Sequence, residues 1–303
     1  MSPVPDPSVI GGVAAPDFAR LPDPAALFAR RAGRLRVLAE DARLGPYLRF
    51  LADLAALQAE IAQDLLPAET LRADLIARNR SYRMPPIDRD MLILFGDMTL
   101  TMQMMLDRAS RIEMPAPAKA ALDALRDAPA EDLQTLLAEL AADRVPDGFA
   151  APAAFAAAAL QVTAARLAAT LDASQLVPIR TGVCPTCGGK PAVSIVTATQ
   201  NQEGARYACC ATCATEWNEV RVKCLCCGST KGIGYRALEA DPEKANIRAE
   251  ICDECHSWVK ILYQNRDAAL DPMADDIASL GLDAQMRESV WERGGFNPFL
   301  IGY

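Results

Sequence analysis

The chain has 303 residues, a formal charge of −8 at pH 7, and 51% hydrophobic but only 6% aromatic residues. That length allows two or three domains of roughly 100–200 residues, and the wealth of alanine and leucine predicts an aliphatic, largely helical core. The acidic balance, with a pI near 4.9, opposes a broad nucleic-acid or anionic-membrane footprint, because such surfaces need clustered Lys and Arg.

The opening stretch, MSPVPDPSVIGG, has neither a basic region nor a sustained apolar run. It carries no sign of a secretory signal, and a cytoplasmic protein is expected. Residues 1–24 are proline-rich with few periodic apolar positions, which predicts a flexible arm of polyproline character. From about residue 25 the spacing becomes helical: Leu44, Leu48, Leu51, Leu54 and Leu57 recur every three or four residues and form one apolar stripe. Pro67, Pro85, Pro86, Pro115, Pro117, Pro129, Pro146 and Pro152 punctuate similar segments, predicting six or seven helices over residues 25–178. The uncharged run 149–165 contains Pro152, Gln161 and Thr163 and is mostly alanine, so it is read as a helix of a soluble domain and not as a membrane span.

After Thr181 the composition changes to cysteines, glycines and β-branched residues, with a short strand expected over 192–197. Four Cys-x-x-Cys pairs follow in order: Cys184/Cys187, Cys210/Cys213, Cys224/Cys227 and Cys252/Cys255. Two intervening residues let both thiolates of a tight turn reach one ion, and glycine after the first and third pairs eases a turn with positive φ. The long gaps after Cys187 and Cys227 have room for strands, whereas the short gap between Cys213 and Cys224 suits a link between finished modules. The economical grouping is Cys184/Cys187/Cys210/Cys213 over residues 179–219 and Cys224/Cys227/Cys252/Cys255 over residues 220–265. All-sulfur tetrahedral sites suit zinc or iron, one ion per site, and leave no open position for hydrolytic chemistry. Disulfides or redox dithiols are the bland alternative, which four ordered pairs in a long signal-less chain disfavour.

Cys209 and Cys226 are left over, each beside a ligand, and could be packed residues, spare ligands or reactive thiols; packing is favoured. His256, the one histidine, follows Cys255 and is read as a polar residue near the turn. Met91, Met98, Met102, Met104 and Met105 are placed on one helix, as core filler before a peptide-binding surface. Trp217, Tyr235, Trp258 and Tyr263 are candidates for interface anchors or for packing around the metal modules. Residues 181–265 carry nine Lys or Arg and nine Asp or Glu, and eight thiolates with two divalent ions would add about −4. That balance disfavours nucleic acid and suits a protein partner. No acid–base or phosphate-binding motif is present, so no catalytic site is expected. Over 266–303, Ile277, Leu280, Met286 and Val290 predict one helix ending before Gly294 and Gly295, with an apolar tail packing back. The fold class expected is therefore α plus small β: an all-helical N-terminal domain, two tandem rubredoxin-like or zinc-ribbon modules and a C-terminal helix.

The stretches CPTCGGKPAVS, CATCATEWNEVRVKCLCCGS, AEICDECHSWVKILYQ and DDIASLGLDAQM, with the terminal NPFL, resemble the FdhE family of formate dehydrogenase accessory proteins. The resemblance rests on residues 182–300; the helical part contributes only general character. It implies a cytoplasmic, non-catalytic factor with rubredoxin-like modules, needed for formate dehydrogenase to become active. It also implies a client, the molybdenum- or tungsten-pterin catalytic subunit. The family's four motifs fall on the eight paired cysteines, leaving Cys209 and Cys226 outside the pattern. A redox or sulfur-transfer factor is the rival reading, a nucleic-acid-binding ribbon a weaker one, and self-association stays open.

Overall fold

The computed structural model describes residues 16–40, 43–94, 96–199, 202–239 and 241–300. Among the described residues, eight helices precede Pro178: α1 (Pro24–Leu38), α2 (Gly45–Asp64), α3 (Ala73–Ser81), α4 (Arg89–Leu92), α5 (Gly96–Ala109), α6 (Ala116–Asp127), α7 (Ala130–Ala141) and α8 (Ala150–Ala168). The expected six or seven falls short because the four-residue α4 is too brief to show a period. It also separates exposed Met91 from Met98, Met102 and Met105, which are buried on α5. The five methionines therefore do not share a helix.

Helix α1 starts where Asp23 caps the Ala26 N–H and Pro24 occupies the first turn, where a missing N–H costs nothing. On α2 the leucine stripe faces inward, with Leu48, Leu51, Leu54 and Leu57 all buried. Every residue of α8 from Ala153 to Ala168 is buried. Its alanines let the surrounding α1, α2, α5, α6 and α7 approach closely, and Phe155 meets Phe50 edge-on with ring centroids 5.7 Å apart. Though long and apolar enough to cross a membrane by composition, α8 is the interior helix of this bundle. Its polar groups are spent internally: Gln161 accepts from Arg31 and Gln58 and donates to the Ala211 carbonyl at 2.7 Å, tying the bundle to the cysteine-rich part.

That part is built twice. A cysteine pair leads into β2 (Pro191–Val196) and β3 (Arg206–Cys210), and a second pair turns the chain into β4 (Glu216–Glu219). The same order repeats in β5 (Ile233–Arg236), β6 (Ile247–Cys252) and β7 (Ser257–Tyr263). The two three-stranded ribbons join edge to edge, because β2 pairs in parallel with β7 through Ser194↔Ile261, Ile195↔Leu262 and Val196↔Tyr263. The result is one sheet in the order β1-β4-β3-β2-β7-β6-β5, with the short β8 (Glu292–Arg293) also on β7. Strand β1 (Ala19–Arg20) pairs antiparallel with β4, and Phe18 accepts from Asn218 N at 2.8 Å. Residues 16–24 are thus not a loose arm: they satisfy the otherwise open edge of β4. Residues 1–15 lie outside the described residues.

The C-terminal segment forms two short helices, α9 (Ala274–Ala278) and α10 (Leu280–Arg287), where one helix was expected. Val290 is exposed beyond the end of α10, and the chain turns into β8 before Gly294. It does pack back: Arg34 on α1 grips Asp275 with two bonds of 2.9 and 2.7 Å, and Tyr47 donates to the Phe299 carbonyl. Leu270, Met273, Ile277, Phe299 and Leu300 join the same core as the helical bundle and the first ribbon.

Two buried ionic networks hold the ribbons. Arg206, fully buried on β3, donates to Ser194 on β2 and to Glu250 on β6 at 2.7 Å, crossing from one ribbon to the other. Lys260 on β7 is enclosed by the Asp276 carbonyl, the Asp276 carboxylate and Asp283, which Arg293 also bridges. Removing one member of such a set strands a buried charge. Arg206→Met, which strips Glu250 of its charged partner and leaves it only the Tyr235 hydroxyl, should lower stability by about 3–5 kcal/mol in urea unfolding, and adding Glu250→Gln should restore part of the loss.

Candidate metal centres

Each ribbon carries one knuckle before its first strand and one cysteine turn between its second and third strands. All four loops use the same backbone device: the residue after the second cysteine is left-handed, with φ of +74° at Gly188, +57° at Ala214, +80° at Gly228 and +51° at His256. Glycine serves this conformation without strain, whereas alanine and histidine adopt it at a cost. His256 is thereby explained as a turn position; its side chain is exposed and lies outside the cysteine clusters. In the two knuckles the left-handed glycine returns its N–H to the first cysteine's carbonyl, Gly188 to Cys184 at 2.8 Å and Gly228 to Cys224 at 2.9 Å. The next residue of the first knuckle, Gly189, leaves space, since a Cβ there would lie 3.2 Å from Arg89 Nη1 and 3.4 Å from Cys187 Sγ.

These turns bring the eight paired cysteines into two groups, Cys184/Cys187/Cys210/Cys213 and Cys224/Cys227/Cys252/Cys255, whose sulfurs all lie within 4.8 Å of one another. Across the first group Cys184 and Cys213 are 3.6 Å apart and Cys187 and Cys210 3.5 Å. Across the second, Cys224 and Cys255 are 3.7 Å apart and Cys227 and Cys252 3.8 Å. Four sulfurs placed tetrahedrally at ~2.3 Å from one ion stand ~3.8 Å apart, whereas a disulfide is ~2.05 Å. The arrangement therefore fits a single tetrahedral ion per group, and the all-sulfur donor set suits zinc or iron.

Backbone amides are aimed at the sulfurs. Thr186 N–H points at Cys184 Sγ, Thr212 and Cys213 N–H at Cys210 Sγ, and Cys226 and Cys227 N–H at Cys224 Sγ, at 3.3–3.4 Å. Such donors favour the thiolate over the thiol. The thiols of the first cluster split: burial pushes the Cys184 thiol well above its ordinary value and the Cys184 contact does the same to Cys187, whereas Cys210, against the effect of its burial, is held well below by hydrogen bonds from Cys184, Cys187 and Cys213. Cys224 is pushed up to about 12 by its contact with Cys226 and by burial.

The two groups differ in setting. All four thiols of the first are buried in the shared core. Arg89 faces it; burial works against this charge, but Asp143, Cys187 and Cys210 outweigh that and raise the guanidinium's pKa. Asp143, itself at φ +56°, accepts from Arg89 at 2.8 Å and from the Lys190 backbone N–H at 3.1 Å. These bonds brace the first knuckle against the helical domain. Nothing in local sequence marks Arg89 or Asp143, which meet the cysteines only in the folded chain. In the second group Cys227 is exposed and Cys255 half-buried.

Cys209 and Cys226 belong to neither group. Cys209 is buried in the core. Cys226 is half-buried against Gly294, where a Cβ would overlap its sulfur. Trp217, Trp258 and Tyr263 are buried packing residues and not exposed anchors, while Tyr235 is half-buried and donates to Glu250.

Fold and site together define a tandem-ribbon protein: two four-cysteine clusters fused through one sheet and carried by a helical bundle. Residues 16–181 match the N-terminal part of FdhE, residues 183–221 its central domain and residues 222–300 its C-terminal domain. A protein FdhE homolog of Rhizobium meliloti is 51% identical over 304 residues, covering 100% of this chain and 99% of that protein. Protein FdhE of Escherichia coli K12 is 37% identical over 280 residues, covering 91% of this chain and 88% of that one. The crystal structure of the FdhE protein from Pseudomonas aeruginosa matches with a TM-score of 0.83 at 33% identity, covering 94% of this chain and 99% of that one. The chain belongs to the FdhE family.

Two outcomes follow from the geometry. A strong chelator should strip the ions in two phases, the solvent-facing second group first, and Cys227→Ser should remove the fast phase. Because thiols held high must lose protons to bind an ion, affinity should rise with pH and loading should release protons, measurable by titration in two buffers of different ionisation enthalpy.

Proposed function

We propose that this chain is a cytoplasmic maturation factor for formate dehydrogenase, which engages the catalytic subunit of that enzyme through a surface held in shape by two four-cysteine metal sites. The observation that carries this reading is the match to FdhE along all three of its parts, with eight cysteines gathered into two sites. The ions would be zinc or iron, held by Cys184, Cys187, Cys210 and Cys213 and by Cys224, Cys227, Cys252 and Cys255. An ion with four protein sulfurs has no position left for water, so its chemistry is that of a structural centre. The ribbons have short strands and little apolar core of their own; ligation would contribute on the order of 10 kcal/mol per site to their folding. The acidic chain and the ribbons' balanced charge favour a protein client over nucleic acid.

A second reading, electron or sulfur transfer through an iron–thiolate centre, is favoured by one feature: the second group exposes Cys227 and half-exposes Cys255. The visible spectrum separates the two. A colour that bleaches and returns on redox cycling supports transfer, whereas colourless protein with two zinc ions per chain supports the scaffold.

Cys184→Ser and Cys252→Ser should each lose one ion by elemental analysis and leave formate dehydrogenase inactive in cells that otherwise lack the factor. Retention of both ions with full activation would reject the metal scaffold. Tagged protein should capture the catalytic subunit from cells expressing formate dehydrogenase, and consistent failure to enrich it would reject the client assignment.

A further inference from the structure

The first four-cysteine group is closed off from water, which poses a charge problem that the second does not share. Four thiolates around a divalent ion carry a formal charge of about −2. All four cysteines of this group are buried, and a buried charge must be paired or hydrogen-bonded. The second group opens to solvent through Cys227, where water screens the charge.

Hydrogen-bond donors meet part of the need. Cys184 receives the Thr186 N–H, Cys210 receives those of Thr212 and Cys213, and the Thr215 hydroxyl stands 3.2 Å from Cys213 Sγ. Cys187 is the exception. It touches the Cys210 sulfur, but among the described residues no N–H is aimed at it. Its counterpart in the second knuckle, Cys227, has the Ser229 N–H at 3.5 Å.

What stands beside Cys187 is a guanidinium. Arg89 Nη1 and Cys187 Sγ lie 3.2 and 3.4 Å from the point that a Cβ on Gly189 would occupy, so a larger residue at 189 would part them. The Arg89 side chain is 16% exposed. It opens α4 and so belongs to the helical domain, not to a ribbon. Asp143, which follows α7, fixes its direction: one carboxylate oxygen accepts from Arg89 Nη1 and the other from the Lys190 N–H at the exit of the knuckle.

We infer that Arg89 is a positioning residue for the first metal site: aimed by Asp143, its guanidinium supplies at Cys187 the positive charge that no amide supplies. Retention of an ion in the ribbon is then controlled in part by a residue of the helical domain. The inference rests on the preceding reading that this group holds an ion. Outer-shell partners of this kind change metal affinity by about 10–100-fold.

A brace without electrostatic effect is the alternative, and the two differ in sign. If Arg89 and Asp143 only fasten the knuckle to the helices, weakening either partner loosens the site alike. If Arg89 acts through its charge, the partners oppose each other, because Asp143 adds a negative charge beside an anionic cluster.

The test uses full-length protein loaded with zinc and follows release to a strong chelator, reading the slow phase that survives Cys227→Ser. Arg89→Met should speed that phase about tenfold or more and leave the fast phase of the parent protein unchanged. Arg89→Lys, which restores the charge without the fork, should recover part of the difference. Asp143→Asn keeps an acceptor for Arg89 and removes the negative charge, so its slow phase should be no faster than the parent's. With cobalt(II) in place of zinc, Arg89→Met should move a sulfur-to-cobalt absorption band to longer wavelength, since sulfur electrons are easier to transfer once the nearby cation is gone. Arg89→Gln serves in its place if Arg89→Met fails to fold. Parental slow release from the neutral variant, acceleration of both phases alike, an unshifted cobalt band, or faster slow-phase release from Asp143→Asn overturns the assignment. A parent protein with no ion in its first group refutes the metal reading and this inference together. A parent with two ions and an indifferent neutral variant refutes this inference alone.

Discussion

Four sulfurs converge, twice, to the spacing that a single tetrahedral ion would need, and most of the C-terminal half is organised around that geometry. The left-handed residue after each cysteine pair, the amides aimed at sulfur and the glycine that makes room for Arg89 all serve it. Burial in the shared core encloses the first cluster, but non-directional apolar packing does not by itself set four sulfurs at this spacing. The first cluster passes its rigidity on: Asp143 and Arg89 tie its knuckle to the helical domain, and Gln161 of α8 reaches the Ala211 carbonyl beside Cys210. Helices and ribbon are thus one packed body whose most demanding geometric element is the sulfur cluster.

The second organising choice is to splice the ribbons through β2 and β7 and then bury charge across the splice. Arg206 with Glu250, and Lys260 with Asp276, Asp283 and Arg293, are paired far from water. Such pairs add little net stability over an apolar replacement but penalise wrong pairings heavily, because a shifted register would leave each charge unmatched. In a sheet assembled from two similar ribbons that discrimination matters. Arg206 meets Glu250 only when the first ribbon's inner strands lie beside the second's, and Lys260 meets its aspartates only when the C-terminal helices fold back onto β7.

Features set by local chemistry were legible in the sequence. The cysteine spacing gave the two groups, the leucine period gave α2, and the β-branched run gave β2. The abrupt change near Thr181 marked the start of the ribbon part. What could not be read depends on distant partners. Ala19 and Arg20 are a strand because β4 has an open edge, which nothing in a proline-rich stretch announces. Val290 kept the apolar period of a helix, yet the chain leaves α10 at Arg287 so that Arg293 can reach Asp276 and Asp283. Met91 and Met98 looked like one helix because periodicity does not register a break of a few residues. The splice between β2 and β7, and the bracing by Arg89 and Asp143, are tertiary contacts between segments that carry no reciprocal signal.

Parallel pairing of β2 with β7 also sets an order of events during synthesis. Strand β2 leaves the ribosome early, flanked by β3 on one side, but its other edge has no partner until the whole second ribbon has been made. Until then the helical domain and first ribbon present an apolar strand with unpaired amides and carbonyls, the kind of edge that recruits foreign strands. The chain's last segment, with α9 on α1 and the Phe299 carbonyl on Tyr47, closes over the same body. Completion of this sheet therefore waits for β7, and a nascent chain halted before it is left with an open edge rather than a smaller finished protein.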